Sequence, residues 1–252
     1  MDFFEDNDIF ILKGYLPTFS CSNGYTANII YYLSLSQEIA ALHAKHHLLD
    51  APTLLKSGHT WVVHFANIEV YRYLKWPEEW VLKSYVVEQS NPVLSRRIVE
   101  CYDKDNKKVF VSDMLWSIVK SENGHKMLAR TSDFIKDKFA FIPQSNMPAF
   151  ERIKHLKIEN PDFVIKKHVG TLDRDINMHA NNIAYLRWVI DSIPSSEIQE
   201  EKISKININW SHEIMIGEDL DISFLKEKNA DGSIVFFANI ADRAYVKIFQ
   251  EK

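Results

Sequence analysis

The stretch Ile183-Ala184-Tyr185-Leu186-Arg187-Trp188-Val189-Ile190-Asp191-Ser192-Ile193-Pro194 decides the architecture of this 252-residue chain. On a wheel of about 100° per residue, Arg187 and Asp191 share one narrow face, while Tyr185, Leu186, Trp188, Val189, Ile190 and Ile193 cover most of the rest. A flat sheet covers one stripe of a helix. A helix that is apolar on most sides needs a strongly curved sheet around it. Proline ends the segment, so the helix spans about Asn182 to Ile193.

Strand-like segments flank this helix: Phe163 to Val169 before it, then Ile203 to Glu213, Asp219 to Lys228, Ile234 to Ala241 and Arg243 to Phe249 after it. The same order occurs earlier in the chain. Residues Ile9 to Ser20 suit an edge strand, and Thr26 to Leu49 carries apolar residues at helical spacing with no proline until Pro52. From Thr60 onward come four Val-, Ile-, Tyr- and Trp-rich segments, expected to pair as an antiparallel meander. Between the halves, a segment with three prolines, Pro143, Pro148 and Pro161, shows no sustained period. The expectation is an α+β chain with a first domain at 1–136, a linker at 137–162 and a second domain at 163–252, each a curved antiparallel sheet around its own helix.

Composition narrows the function. With 30 Lys+Arg against 34 Asp+Glu the net charge is −4, and no long basic block suits nucleic acid. Only 7 glycines leave little for glycine-rich phosphate loops. Cys21 and Cys101 are far apart, so neither a disulfide framework nor a cysteine zinc site is suggested. The opening MDFFEDNDIFILKGY lacks the pattern of a signal peptide, and no apolar run approaches the roughly 18 residues of a membrane span. A cytoplasmic protein without stable membrane insertion is expected.

The chemistry is concentrated in Leu172-Asp173-Arg174-Asp175-Ile176-Asn177-Met178-His179-Ala180-Asn181-Asn182, at the entrance of the second helix. Asn181 or Asn182 suits an N-cap. Capping does not explain Asp175, Asn177 and His179 at alternating positions, which an extended backbone would project from one side. A calcium loop starting at Asp173 fails, because Met178 stands where glycine is needed and Ala184 where a bidentate Glu is needed. His43 and His47 lie one helical turn apart, but no Glu follows His43 as in H-E-x-x-H, so a helix face is favoured over a metal site. No metal or other cofactor is expected.

The D-x-N-x-H-x-N-N pattern running into Ile183 to Pro194 resembles the signature of the acyl–acyl carrier protein thioesterases, the plastid fatty-acid-releasing enzymes and their bacterial relatives. Trp210-Ser211-His212-Glu213-Ile214 resembles that family's downstream segment, and Trp61-Val62-Val63 opens a strand as its first domain does. The resemblance implies a tandem, or double, hot-dog fold and hydrolysis of fatty acyl–acyl carrier protein thioesters, with the acyl pocket in the first domain and an acyl carrier protein as partner. It places the catalytic set on Asp175, Asn177, His179 and Glu213. Ile214 stands where many plant members have a cysteine once proposed as a nucleophile, so the resemblance points to carboxylate-activated water.

Thioester hydrolysis needs a base for water, donors for the developing oxyanion and groups that orient both. Glu213 is the expected base or, less favoured, a direct nucleophile. Asn177 holds the water or polarises the carbonyl, Asp175 and His179 orient Asn177, and backbone N–H groups at Asn181 and Asn182 are candidate oxyanion donors. Strict strand alternation turns Glu213 to the face of Asn207, Asn209 and Ser211, so either that face meets the site or a bulge near Ser211 changes the register. The alternatives are an acyl-coenzyme A thioesterase and a non-catalytic acyl-binding protein. An acidic carrier protein calls for a basic patch, with Arg96-Arg97, Lys104 with Lys107-Lys108, and Lys166-Lys167 as candidates. A homodimer and a tandem pseudo-dimer both fit this plan.

Overall fold

The structure, a computed structural model, describes residues 2–6, 9–122, 125–153 and 155–252. The chain divides into two compact units, one of Met1–His64 with Val70–Phe150, the other of Phe65–Glu69 with Glu151–Lys252. The stretch 137–162, expected as a linker, is thus shared between them, with the change after Phe150.

In the first unit, β1 (Asp2–Asp6) and β2 (Ile9–Tyr15) precede helix α1 (Ile29–His46) and the short α2 (Ala51–Leu55). Then follow β3 (His59–Val70), β4 (Glu79–Val87), β5 (Ser95–Asp103), β6 (Lys108–Glu122), β7 (His125–Leu128), α3 (Thr131–Ile135) and β8 (Phe141–Ile142). The strand order is β1-β2-β4-β5-β6-β3, with β7 on β6 and β8 on β4. The expected four-strand meander is therefore corrected to three strands: β3 lies beside β6, and β2 takes the place next to β4. The connection from β3 to β4 is the cause. It is no tight hairpin turn, because the Tyr71 and Arg72 N–H groups bond to the Val109 carbonyl and the Leu74 carbonyl accepts from Ala27 at the helix entrance.

Helix α1 packs against β2, β4, β5 and β6. Four neighbouring strands span about 14 Å, wider than a helix, so a curled sheet is needed to bring them all to it. Ile29, Tyr32, Leu33, Leu35, Ile39 and Ala44 are buried there with Leu12, Leu82 and Phe110 of the sheet. Each large apolar side chain so buried contributes roughly 1.5–3 kcal/mol.

Arg96 and Arg97, considered as docking cations, are both buried. Arg97 reaches His43 Nδ1 of α1 (2.6 Å) and Ser84 Oγ (2.8 Å). Arg96 makes a two-pronged bond to Asp113 (3.0 and 2.6 Å) and donates to the Pro148 carbonyl. Both faces of β5 are covered, so this pair is not available to a carrier protein.

The second unit repeats the plan. Strand β9 (Phe163–His168) leads to α4 (Asn182–Ser192), followed by β10 (Ile203–Trp210), β11 (Asp219–Lys228), β12 (Ile234–Ile240) and β13 (Ala244–Gln250). The order β9-β11-β12-β13-β10 matches β2-β4-β5-β6-β3 of the first unit. Residues Phe65–Glu69 of β3 belong to this unit and pair antiparallel with Lys205 to Asn209 of β10, and the buried Asn207 donates to Asn67 Oδ1 at 2.7 Å. Ala184, Tyr185, Leu186, Trp188 and Val189 of α4 are buried, as the wheel requires.

Candidate active site

The polar loop before α4 is built around Asp173, which ends a 3₁₀ turn over Thr171–Asp173. Its carboxylate accepts from Gly170 N–H (2.9 Å), Arg187 Nη2 (2.5 Å) and Trp188 Nε1 (3.0 Å), while its carbonyl accepts from Asn181 N–H (2.6 Å). Burial alone pushes this carboxyl upward. The bonds from Trp188, Gly170 and Arg187 and the charge of Lys167 outweigh it and hold Asp173 below its usual value. Arg187 is therefore engaged rather than simply solvated, and Asp173, considered above only as the start of a calcium loop, clasps the loop to α4.

From Asp175 to His179 the backbone is a closed turn, not the extended segment expected. Asp175 N–H donates to the His179 carbonyl (2.8 Å), and Asp175 Oδ1 accepts from the N–H groups of Asn177 (2.8 Å) and His179 (2.9 Å). Met178 takes the left-handed conformation, φ 67°, that lets the chain return. A carboxylate accepting two local N–H groups is a strong turn former, so Asp175 fixes the backbone from which Asn177 and His179 project. Asn181 caps α4 by accepting from Ile183 N–H (2.9 Å).

Glu213 lies past the end of β10, where alternation no longer governs. The N–H groups of Ser211 and His212 both reach the Arg243 carbonyl (2.8 and 3.0 Å), two residues opposite one, as the bulge alternative required. His179 then bridges to Met215, and Ala180 N–H donates to the Ile214 carbonyl (2.8 Å). This brings His179 Nε2 to 3.6 Å from Glu213 Oε2. The separation is long for a hydrogen bond and suits a charge contact or a bridging water. The Ile214 backbone hydrogen-bonds the buried Tyr185 hydroxyl, which burial first and the Glu213 and Asp175 charges second push well above its usual value.

Of the expected residues, Asp175 and His179 are thus joined through the turn and His179 and Glu213 through their side chains. Asn177 stands half-buried on the same turn. Asn181 spends its N–H and its carboxamide oxygen on the frame, while Asn182 is the first residue of α4. Arg243 was not anticipated. Its guanidinium donates to Glu218 (2.6 Å) and to the Glu213 carbonyl (3.3 Å), and Glu218 also accepts from Met215 N–H (2.8 Å). No local pattern marks Arg243, because it lies far along the chain from the segment it holds.

The first unit contains the same frame with other side chains. Ser22 N–H donates to the Thr26 carbonyl (2.7 Å), Ala27 N–H to the Leu74 carbonyl (2.9 Å) and Asn28 N–H to the Ser20 carbonyl (2.9 Å). Asn28 caps α1, and the Tyr32 hydroxyl accepts from Leu74 N–H. Serine, glycine and threonine, at Ser22, Gly24 and Thr26, occupy the places of Asp175, Asn177 and His179. The signal was in the sequence: Thr26 to Leu33 and His179 to Leu186 share five of eight residues, Ala, Asn, Ile, Tyr and Leu.

The acyl-ACP thioesterase N-terminal domain family matches residues 22–138, and the acyl-ACP thioesterase C-terminal domain family matches residues 158–246. The oleoyl-acyl carrier protein thioesterase of Coriandrum sativum is 22% identical over 226 residues, covering 83% of this chain and 60% of that protein. Oleoyl-acyl carrier protein thioesterase 1 of Arabidopsis thaliana is 22% identical over 232 residues, covering 86% and 64%. The chain therefore spans under two thirds of the length of these curated relatives. Among solved structures, an acyl-ACP thioesterase from Bacteroides thetaiotaomicron superposes with a TM-score of 0.79 at 19% identity, covering 97% of this chain and 98% of that one. A 12:0-ACP thioesterase from Umbellularia californica gives 0.81 at 15%, covering 97% and 94%. The shared fold is the double hot-dog.

Proposed function

We propose that this chain, which belongs to the acyl-ACP thioesterase family, hydrolyses fatty acyl thioesters of acyl carrier protein to free fatty acid and carrier protein. The observation that carries this reading is the approach of His179 to Glu213, 3.6 Å apart, beside the N-terminus of α4. Glu213 takes a proton from water as the water oxygen attacks the thioester carbonyl carbon. The carbonyl electrons move onto oxygen, where the Asn182 N–H, at the positive end of α4, and the Asn177 carboxamide stabilise the charge. Collapse expels the thiolate, which takes back the proton that Glu213 removed. His179 orients the Glu213 carboxylate, and Asp175 holds the turn.

A thiolate route has little support. The second unit contains no cysteine, and burial pushes the Cys101 thiol far up, keeping it protonated. The domain division and the acyl pocket in the first unit remain part of this proposal. Of the docking cations weighed, the exposed Lys104, Lys107 and Lys166 stay available to an acidic carrier protein, whereas Lys108 pairs with Glu100. No helix among the described residues is long and apolar enough to cross a membrane.

The test is hydrolysis of one acyl chain presented on carrier protein and on coenzyme A, by wild type and Glu213→Gln. Loss of general-base catalysis lowers kcat roughly 10²- to 10⁴-fold, with the carrier-protein thioester preferred by wild type. Folded wild type that turns over neither thioester defeats the enzyme reading. A mutant at wild-type rate removes Glu213 as base, and a preference for coenzyme A replaces the substrate.

A further inference from the structure

The turn that carries Asp175, Asn177 and His179 has a second face. Along 172–179 exposure alternates: Asp173, Asp175, Asn177 and His179 are buried or half-buried, whereas Leu172, Arg174, Ile176 and Met178 stand out in solvent. The exposure is large, 94% for Leu172, 73% for Ile176 and 54% for Met178. Met215, on the segment after Glu213, adds a fourth exposed apolar side chain, and the bridge between His179 and Met215 sets it beside the turn. A single exposed apolar residue is ordinary, but a cluster at one place marks a contact surface. The proposed reaction uses none of these side chains.

Arg174 gives the patch its sign. It is exposed, its guanidinium lies 3.9 Å from Met178 Sδ, and it has no carboxylate partner among the described residues. The neighbouring Lys167 and Arg187 differ, because both are turned to Asp173. Met and Arg are enriched in protein interfaces over the rest of the surface. Asp175 Oδ1 holds the turn through two N–H groups, so this face is presented in fixed form and needs little ordering on contact.

The equivalent turn of the first unit sharpens the assignment. By the shared frame, Phe19 and Tyr25 answer to Leu172 and Met178, and both are exposed. Cys21 and Asn23 stand in the places of Arg174 and Ile176. Of the two turns, only the one with the polar set carries the cation and the central aliphatic chain.

We propose that Leu172, Arg174, Ile176, Met178 and Met215 form the docking surface for the acidic acyl carrier protein, an assignment that rests on the thioesterase reading of the same turn. A carrier protein has to stand where its thioester reaches the reacting groups. His179 lies on this turn, and Glu213 stands two residues before Met215. Arg174 meets an acidic side chain of the carrier, and the apolar chains are covered by it. A lipid surface would also accept apolar chains beside a cation, but it brings no thioester to the site.

The test uses the full chain and one acyl group carried either on carrier protein or on pantetheine, which offers the same thioester without the protein. Leu172→Ser, Ile176→Ser and Arg174→Glu change exposed side chains, and circular dichroism checks each fold. Each should raise KM for the carrier-protein thioester roughly 5- to 30-fold relative to KM for the pantetheine thioester, and the Arg174→Glu effect should shrink as salt is raised. Calorimetric titration with the carrier protein needs no turnover and should show the same loss of affinity. Wild type that hydrolyses neither thioester therefore defeats the thioesterase reading alone, while carrier affinity and the KM ratio unmoved by the three changes overturn the docking surface. A ratio moved only by Lys104→Glu with Lys107→Glu overturns it too, as does loss in Ile176→Ser of binding to anionic phospholipid vesicles with carrier affinity unchanged, which gives the face to a membrane.

Discussion

Replacing Asp173 by Asn tests the clasp between the polar loop and α4. The substitution keeps the side chain's shape but removes the charge that accepts from Gly170, Arg187 and Trp188, and it turns an NH₂ group toward those donors. Breaking one partner of a buried pair costs about 3–5 kcal/mol. Arg187 is 43% exposed, so water screens its share, and a loss of about 2–3 kcal/mol is expected. At about 2–4 °C per kcal/mol this lowers Tm by roughly 4–12 °C. The effect depends on pH. The folded carboxyl is held below its usual 3.8, so its contribution is fully present above about pH 4 and is lost as pH falls through the depressed value. Thermal unfolding of wild type, Asp173→Asn, Arg187→Ala and the double variant, at pH 7 and below pH 4, reads both the size and the coupling. In the thioesterase assay kcat should fall more than KM rises, because the loop's position changes and its functional groups do not. A Tm within about 1 °C of wild type at pH 7, where roughly 4–12 °C is expected, or additive single effects where contacting residues should couple, would refute the clasp.

Two further outcomes are expected. Folded His43 stays neutral down to about pH 2 whereas the unfolded histidine takes a proton below about 6.5, so acidification through that window removes stability at up to about 1.4 kcal/mol per pH unit; denaturant unfolding between pH 6 and 4 should show a shallower slope for His43→Gln, and an unchanged slope would count against the burial argument. Gly14→Ala would place a Cβ 2.5 Å from Trp80 Cζ2 in the first unit, a clash costing about 1–3 kcal/mol, and Trp80→Leu in the same chain should relieve part of it.

Much of this was legible in the residues. The apolar wrap of Tyr185, Leu186, Trp188 and Val189 announced a curled sheet because helical spacing exposes burial on all sides. Strand segments were visible through their alternation and their Val- and Ile-rich texture, but their neighbours were not. The exchange of β3 for β2 next to β4 depends on the path of the 71–78 connection, where Pro77 marks a turn but does not reveal which strand lies beside which. At the site, Asp175, Asn177 and His179 were visible as a polar cluster, yet the turn that arranges them depends on Met178 adopting φ 67°, a conformation side-chain identity does not announce. Asp173 was underrated because its partners Arg187 and Trp188 lie a helix away. Arg96 and Arg97 suited a basic docking patch because nothing local reveals that His43, Asp113 and Pro148 cover them.

The paired helix-entrance frames have an evolutionary consequence. A loop that keeps its backbone bonds with Ser22, Gly24 and Thr26 as well as with Asp175, Asn177 and His179 separates inheritance of shape from inheritance of reactivity. After duplication of such a unit, one copy is free to discard its polar set without unfolding, and in the other Asn177 and His179 can specialise while Asp175 keeps the structural duty of holding the turn. The first loop then serves as an internal control, a background of the same geometry on which the three polar residues can be reinstalled one at a time.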